Sequence, residues 1–99
     1  MSLHITEYSR LARDAFGNVI PAGHEPARKR QAIAVSGTAA FSAGAEGSFV
    51  RLHAMESCLV NFGKDASGAD PTQGHRMPAG AIEFFGVDAG TIIGVIAAA

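Results

Sequence analysis

The sequence has few of the residues that staple a small domain together or build a common catalytic motif. Its 99 residues include one cysteine, one tyrosine and no tryptophan. A single cysteine excludes an internal disulfide and a zinc site built on several cysteines. The formal net charge is -1, so the chain lacks the excess of Lys and Arg that sequence-independent nucleic-acid binding requires. We therefore expect no nucleic-acid partner.

A secretion signal and a long apolar run are also lacking. Residues 1–8 have no basic stretch followed by an apolar segment. The apolar end of the chain, residues 91–99, is much shorter than the roughly 20 residues of a membrane helix. We expect a soluble protein with no membrane contact, made in the cytoplasm.

Apolar residues make up 47% of the chain, which is typical of a folded domain. Many of them are Ala, however, and the bulky core material is limited to Ile, Val, Leu, Met and six Phe. The length fits one domain with a thin core, and small cores of this kind are often completed by a partner subunit.

The second half of the chain alternates between strand-like and turn-like segments. Residues 47–54 and 58–63 are separated by a polar break, and residues 81–87 and 91–96 by Asp88-Ala89-Gly90. Each pair is predicted to form a hairpin. With a strand at 31–35 and a weaker one at 38–42, the pattern predicts an all-β fold, a small antiparallel β-sandwich or jelly-roll-like barrel.

Alternation along these strands predicts the core. The residues expected to be buried are Val50, Leu52, Cys58, Val60, Phe62 and Phe84. The last pair of strands is apolar on both faces, with Ile82 and Phe84 on one side and Phe85 and Val87 on the other. We assign the Phe84 side to the core. The Phe85 side then becomes an association surface with Glu83 at its rim.

The chain is predicted to divide into an N-terminal arm, residues 1–27, and a β-sandwich domain, residues 28–99. Apolar residues from Tyr8 to Phe16 are spaced as in a short amphipathic helix. Asp14-Ala15-Phe16-Gly17-Asn18 instead has turn residues in the order of a hairpin. We favour an extended arm with a loose hairpin. Because of its low apolar content, we expect residues 2–21 to pack on another subunit or partner, or to be mobile in isolation.

Three polar segments separate the strands. Residues 23–30 are a linker whose Arg28-Lys29-Arg30 cluster is expected to be a solvated face. Residues 43–47 are rich in Gly but lack the Lys-Ser/Thr ending of a phosphate-binding loop. Residues 64–76 are expected to form an exposed loop, and exposed loops often carry contacts. Asp65 and Asp70 in that loop lack the ligand spacing of an EF-hand.

No arrangement of residues predicts catalysis, a cofactor or a metal. The four histidines, His4, His24, His53 and His75, have no i, i+2 or i+4 pair that would place two ligands side by side. Cys58 and His53 have the residue types of a nucleophile and its base, but Cys58 belongs to the apolar set and no third group orients the histidine. We expect no enzyme activity.

The strand sequences resemble small proteins of tailed bacteriophages and prophages. The resemblance rests on Phe49-Val50-Arg51-Leu52, Cys58-Leu59-Val60-Asn61-Phe62-Gly63, Met77-Pro78-Ala79-Gly80 and the segments 83–87 and 90–96. The leading segment, residues 11–21, is similar as well. Met77 stands where Leu is usual, and the Arg28-Lys29-Arg30 cluster is a further departure. These motifs mark turns and core strands and do not mark a reaction.

The resemblance implies a non-enzymatic structural protein of a phage or prophage particle that decorates or stabilises the head. It would pack on copies of itself, with a trimer favoured by analogy, and on a capsid or other virion protein. It would be located in the host bacterial cytoplasm during assembly and then in the virion. The candidate interface residues are Glu83, Phe85, Val87, Tyr8, Phe49 and Arg51. The alternative is a small-ligand or carbohydrate-binding module whose platform is Tyr8, Phe49, Arg51 and His53.

Overall fold

The computed structural model describes residues 2–13, 15–23 and 25–98. Within those ranges the chain forms ten strands and one short 3-10 helix. The strands are β1 (Ser2–Tyr8), β2 (Leu11–Arg13), β3 (Val19–Gly23), β4 (Lys29–Ala34), β5 (Ala40–Phe41), β6 (Ser48–Ala54), β7 (Cys58–Gly63), β8 (His75–Met77), β9 (Ile82–Val87) and β10 (Ile92–Ala97). The 3-10 helix is Pro71–Gln73.

Two four-stranded antiparallel sheets pack face to face as a sandwich. The first sheet has the order β4-β1-β6-β9 and the second the order β5-β10-β7-β8. Strands β2 and β3 form a separate two-stranded hairpin. The predicted all-β sandwich is confirmed, and the sheets are not closed into a barrel.

The two predicted hairpins of the second half are wrong in their pairing. Strand β6 pairs with β1 and β9, and strand β7 pairs with β10 and β8. The breaks at 55–57 and 88–91 therefore carry the chain from one sheet to the other. A few extended residues at about 3.3 Å each can span the roughly 10 Å between stacked sheets. A short polar break therefore suits a sheet-to-sheet crossing as well as a hairpin.

The core lies between the inner faces of the two sheets. Val50, Leu52, Cys58 and Val60 are buried as predicted, and Phe62 is half-buried against them. Strand β1 adds Leu3 and Ile5, and strand β10 adds Ile93 and Val95. These side chains alternate along their strands, so each sheet presents one apolar face to the other.

The prediction for β9 has its two faces reversed. Phe84 is 56% exposed, whereas Phe85 is half-buried and packs against the core. The register explains the difference, because Phe85 lies opposite the buried Val50 while Phe84 lies opposite Arg51. Both faces of β9 are apolar, so alternation within the strand could not choose between them.

The segment predicted as an arm, residues 1–27, divides in the structure. Strand β1 is an inner strand between β4 and β6, and its Leu3 and Ile5 are buried in the core. Residues 2–8 therefore pack on the chain's own strands. Two apolar residues are enough to make β1 part of the core, because the strands on both sides of it, β4 and β6, also turn apolar residues to that inner face. Beyond β1 the chain forms the predicted hairpin, with Gly17 at a φ of 83° in its turn. Asp14, part of the predicted turn, lies outside the described residues.

Candidate functional site

Part of the outer face of the second sheet is covered by the chain itself. Residues 64–74 fold over it, with Ala69 and Pro71 buried. The Asn61 side chain donates a hydrogen bond of 3.0 Å to the carbonyl oxygen of Asp70. A side chain at Gly94 would collide with the carbonyl oxygen of Ala69. This segment was predicted to be an exposed contact loop, but part of it is instead a lid on its own sheet.

The two aspartates of that segment hold local turns. The Asp65 carboxylate accepts a hydrogen bond of 2.7 Å from the Gly68 amide. The Asp70 carboxylate accepts hydrogen bonds from the Thr72 amide and hydroxyl at 3.0 and 2.8 Å. Short Asp side chains commonly stabilise turns in this way.

The outer face of the first sheet presents a row of aromatic rings. Tyr8 of β1 lies opposite Phe49 of β6, and their rings stack with centroids 5.3 Å apart. Phe84 of β9 is next, with its centroid 6.3 Å from that of Phe49. Beside the row, Arg51 lies between Thr6 and Phe84 in the strand register, and His53 lies beside His4. We call Tyr8, Phe49, Arg51, His53 and Phe84 the outer platform.

The charge on this face has one sign. The residues that alternate onto it from the four strands are Arg30, Ala32, Ala34, Ser2, His4, Thr6, Tyr8, Phe49, Arg51, His53, Ile82, Phe84 and Gly86, without a carboxylate among them. Arg30 lies 3.6 Å from Glu25 at the rim. Within the described ranges, the side chain of Arg51 forms no hydrogen bond or ion pair. The platform therefore combines exposed ring surface with an arginine that lacks a counter-charge there.

The ring of Tyr8, on the first sheet, contacts the β2–β3 hairpin. A Cβ added to Gly23, the last residue of β3, would overlap three carbon atoms of the Tyr8 ring. Gly23 of β3 therefore lies directly against the Tyr8 ring, on which Phe49 also stacks. Phe84 is the most exposed ring of the outer platform.

The hairpin presents a second apolar surface. Phe16 near its turn is 90% exposed, and Leu11 and Val19 on its strands are 41% and 52% exposed.

Glu7 is a structural residue that the sequence reasoning missed. Its side chain is buried, and its Oε2 accepts hydrogen bonds from the amides of Glu46 and Gly47 at 2.9 and 3.1 Å. Arg28 lies 3.8 Å from the same oxygen and donates a 2.9 Å hydrogen bond to the carbonyl of Gly47. The Gly-rich segment 43–47 thus uses its amides to bind this carboxylate. The signal in the sequence was an acidic residue in phase with Leu3 and Ile5.

The structure separates Cys58 from His53. Cys58 is buried in the core on the second sheet, whereas His53 lies on the outer face of the first. Burial, with a smaller contribution from the charge of Glu56, raises the pKa of the Cys58 thiol. His4 and His53 are neighbours, with ring centroids 6.3 Å apart, and His24 lies outside the described residues. In the described ranges no three or more His, Cys, Asp or Glu residues are grouped as a metal ion would require.

An aromatic cluster and a shallow cleft lie at the side of the sandwich where β8 and β9 end the two sheets. His75 stacks on Phe85 at 5.7 Å, and Phe62 packs against Phe85 at 4.9 Å. A cleft of about 230 Å³ opens between the strands nearby, and Lys64 at its edge donates a 2.8 Å hydrogen bond to the carbonyl of Ala89. Its lining is Phe62, Gly63, Lys64, Gly86, Val87, Asp88 and Thr91.

The six candidate interface residues do not share a surface. Tyr8, Phe49 and Arg51 belong to the outer platform. Glu83, Phe85 and Val87 alternate onto the opposite side of β9, where Phe85 and Val87 pack against the core and Glu83 is exposed. The exposed apolar side chains of β9 are Ile82 and Phe84, 46% and 56% exposed, and they lie on the side that was predicted to face the core.

Comparison with protein-family models, with curated proteins and with solved structures finds no match to this chain. Among the described residues, none of the helical structure is long and apolar enough to cross a membrane.

Proposed function

We propose that this chain is a non-enzymatic structural protein of a phage or prophage particle. It stabilises the head by packing on copies of itself and on a larger shell protein. It is made in the host bacterial cytoplasm and ends in the virion. The resemblance of its strand motifs to small tailed-phage proteins supports the particle role.

One observation carries the self-packing part of the proposal. Residues 64–74 cover part of the outer face of the second sheet, whereas Ile82 and Phe84 on the outer face of the first sheet stay exposed. Phe84 alone exposes 56% of its surface there. Removing a large aromatic side chain from water lowers the free energy by roughly 25 cal/mol per Å² of apolar area. A second protein surface is the simplest way to cover it.

The particle role is tested by analysing particles induced from the bacterium that encodes the chain. After purification through a density gradient, mass spectrometry should find this protein in a fixed ratio to the major capsid protein. The ratio should persist after a salt wash that removes adsorbed host proteins. Recovery only in the particle-free supernatant would contradict the proposal.

A second candidate function is favoured by the grouping of Tyr8, Phe49, Arg51 and His53 on one face. Stacked rings beside a cation without a counter-charge suit the flat face and the carboxylate of an acidic sugar. Calorimetric titration with uronic-acid oligosaccharides should then show binding that Arg51→Gln weakens. Equal binding of neutral oligosaccharides, or none at all, would rule this function out.

A further inference from the structure

Strand β9 is the last strand of the first sheet, and its far edge is open. It pairs only with β6, and no strand of the described residues lies beyond it. Ile82, Glu83, Phe84 and Gly86 are all exposed. The strand has six residues, long enough to support a further strand.

The other edges of the sandwich are protected. Strand β4 carries Lys29, Arg30 and Gln31, and the Gln31 side chain accepts a 2.9 Å hydrogen bond from the Ala43 amide. Strands β5 and β8 have only two and three residues. Charges and short length are common devices against edge-to-edge pairing. Strand β9 is the other long edge; Glu83 is its one charged residue, and it has neither a basic residue nor a proline.

The backbone groups that β9 offers outward can be identified. The amide of Ala54 donates to the carbonyl of Ala81 at 3.0 Å, and on the other side of β6 the amide of Met55 donates to Ser2. In an antiparallel ladder the direction of these groups alternates along the strand. Glu83 and Phe85 therefore bond to β6, while Ile82, Phe84 and Gly86 present their amides and carbonyls to the open edge.

We infer that this edge pairs with β9 of a second copy of the chain. Two antiparallel β9 strands, related by a two-fold axis at Phe84, join the two first sheets into one continuous sheet. This deepens the proposed self-packing and rests on it. It also specifies two-fold symmetry, in contrast to the trimer suggested by analogy.

The sequence of β9 selects this register. An axis at Phe84 places Phe84 opposite its own copy and Ile82 opposite Gly86 of the second copy. All three residues with outward backbone groups are then paired. Glu83 faces Phe85 of the second copy, so two carboxylates do not meet. An axis at Glu83 would instead place the two Glu83 side chains opposite each other, which is destabilising.

A pair of variants at one position tests the edge. Phe84→Ala and Phe84→Pro both remove the ring, but only Phe84→Pro removes the outward amide. Because that amide does not bond to β6, proline is tolerable there in the monomer. We expect Phe84→Ala to raise the dimer dissociation constant about 10-fold and Phe84→Pro to raise it at least about 100-fold. Circular dichroism establishes that both variants remain folded.

Cysteine cross-linking tests the register even where a proline variant does not fold. In a Cys58→Ala background, Phe84→Cys should form an intermolecular disulfide under mild oxidation, because opposed Cα atoms lie about 5.5 Å apart. Ile82→Cys is the matched control, since its copies would be about 13 Å apart. Rapid cross-linking at both positions, or at neither, would overturn the register.

The outcomes separate the two proposals. A wild-type oligomer that persists in Phe84→Pro and fails to cross-link through Phe84→Cys overturns the edge pairing and leaves self-packing through another surface. A strictly monomeric wild-type protein overturns the edge pairing and the self-packing together. The particle role is judged separately, by the mass spectrometry of purified particles.

Discussion

Phe85 of β9 lies opposite Val50 of β6 on the inner side of the first sheet. This pairing closes one side of the core, where Phe62 and His75 also contact the Phe85 ring. It also turns the preceding residue, Phe84, outward. Adjacent residues of the same type thus have different roles, and a pair of substitutions should separate them.

Phe85→Ala should lower the free energy of unfolding by about 2–3 kcal/mol, less than for a fully buried Phe because the ring is half-buried. Phe84→Ala should lower it by less than about 1 kcal/mol in the monomer, because its ring is mostly in water. Urea denaturation at low protein concentration measures both. Equal losses would contradict the assignment of the two faces.

Glu7→Ala should destabilise the chain by about 2–4 kcal/mol. The substitution leaves the amides of Glu46 and Gly47 without their acceptor and removes the buried one of the two carboxylates near Arg28. Glu46→Gln is the control, because the exposed side chain of Glu46 makes only a 3.9 Å ion pair with Arg28. Thermal unfolding should show a large shift for the first variant alone. Similar shifts in both would mean that Glu7 does not hold residues 43–47.

Gly23→Ala should disturb the base of the β2–β3 hairpin. The added methyl group would overlap the Tyr8 ring, and relieving such overlap typically costs about 1–3 kcal/mol. Gly37→Ala is a matched control, because a Cβ at Gly37 meets no atom within 4 Å. The Tyr8 ring resonances in an NMR spectrum should shift in Gly23→Ala and stay in place in Gly37→Ala. Unchanged Tyr8 resonances in both variants would contradict the contact between the Tyr8 ring and β3.

Cys58 should react slowly with alkylating reagents in the folded protein. Burial raises the pKa of its thiol, so the reactive thiolate is rare and also inaccessible. Because folding favours the neutral thiol, its contribution to stability is present below the ordinary thiol pKa of about 8.5 and is lost as the pH rises above that value. The stability of Cys58→Ala should fall less steeply over that range. Fast native-state alkylation would contradict the burial of this side chain.

The sequence predicted strands better than it predicted their partners. Alternation placed Val50, Leu52 and Val60 in the core correctly, since the opposite face of each strand carries polar residues such as Arg51 and Asn61. It failed at Phe84, where both faces are apolar and only the register with β6 decides. The strands that pair with β6 and β7 could not be predicted for a similar reason, because a short polar break fits a hairpin and a crossing between sheets equally.

The candidate site was predictable only in part. Phe49, Arg51 and His53 share a face by alternation within β6, and that part follows from the sequence. The addition of Tyr8 depends on the pairing of β1 with β6, which joins residues far apart in the chain. The role of Glu7 had a local signal, an acidic side chain at a core-facing position, but its acceptor role depends on the distant amides of Glu46 and Gly47.

We propose that this protein self-associates through β9, the open edge of its first sheet. Light scattering after size-exclusion chromatography, repeated over a wide range of protein concentration, tests it most directly. We predict twice the monomer mass for the wild type at high concentration, and the monomer mass for a folded Phe84→Pro variant under the same conditions. A wild-type protein that keeps the monomer mass at every concentration would contradict the account.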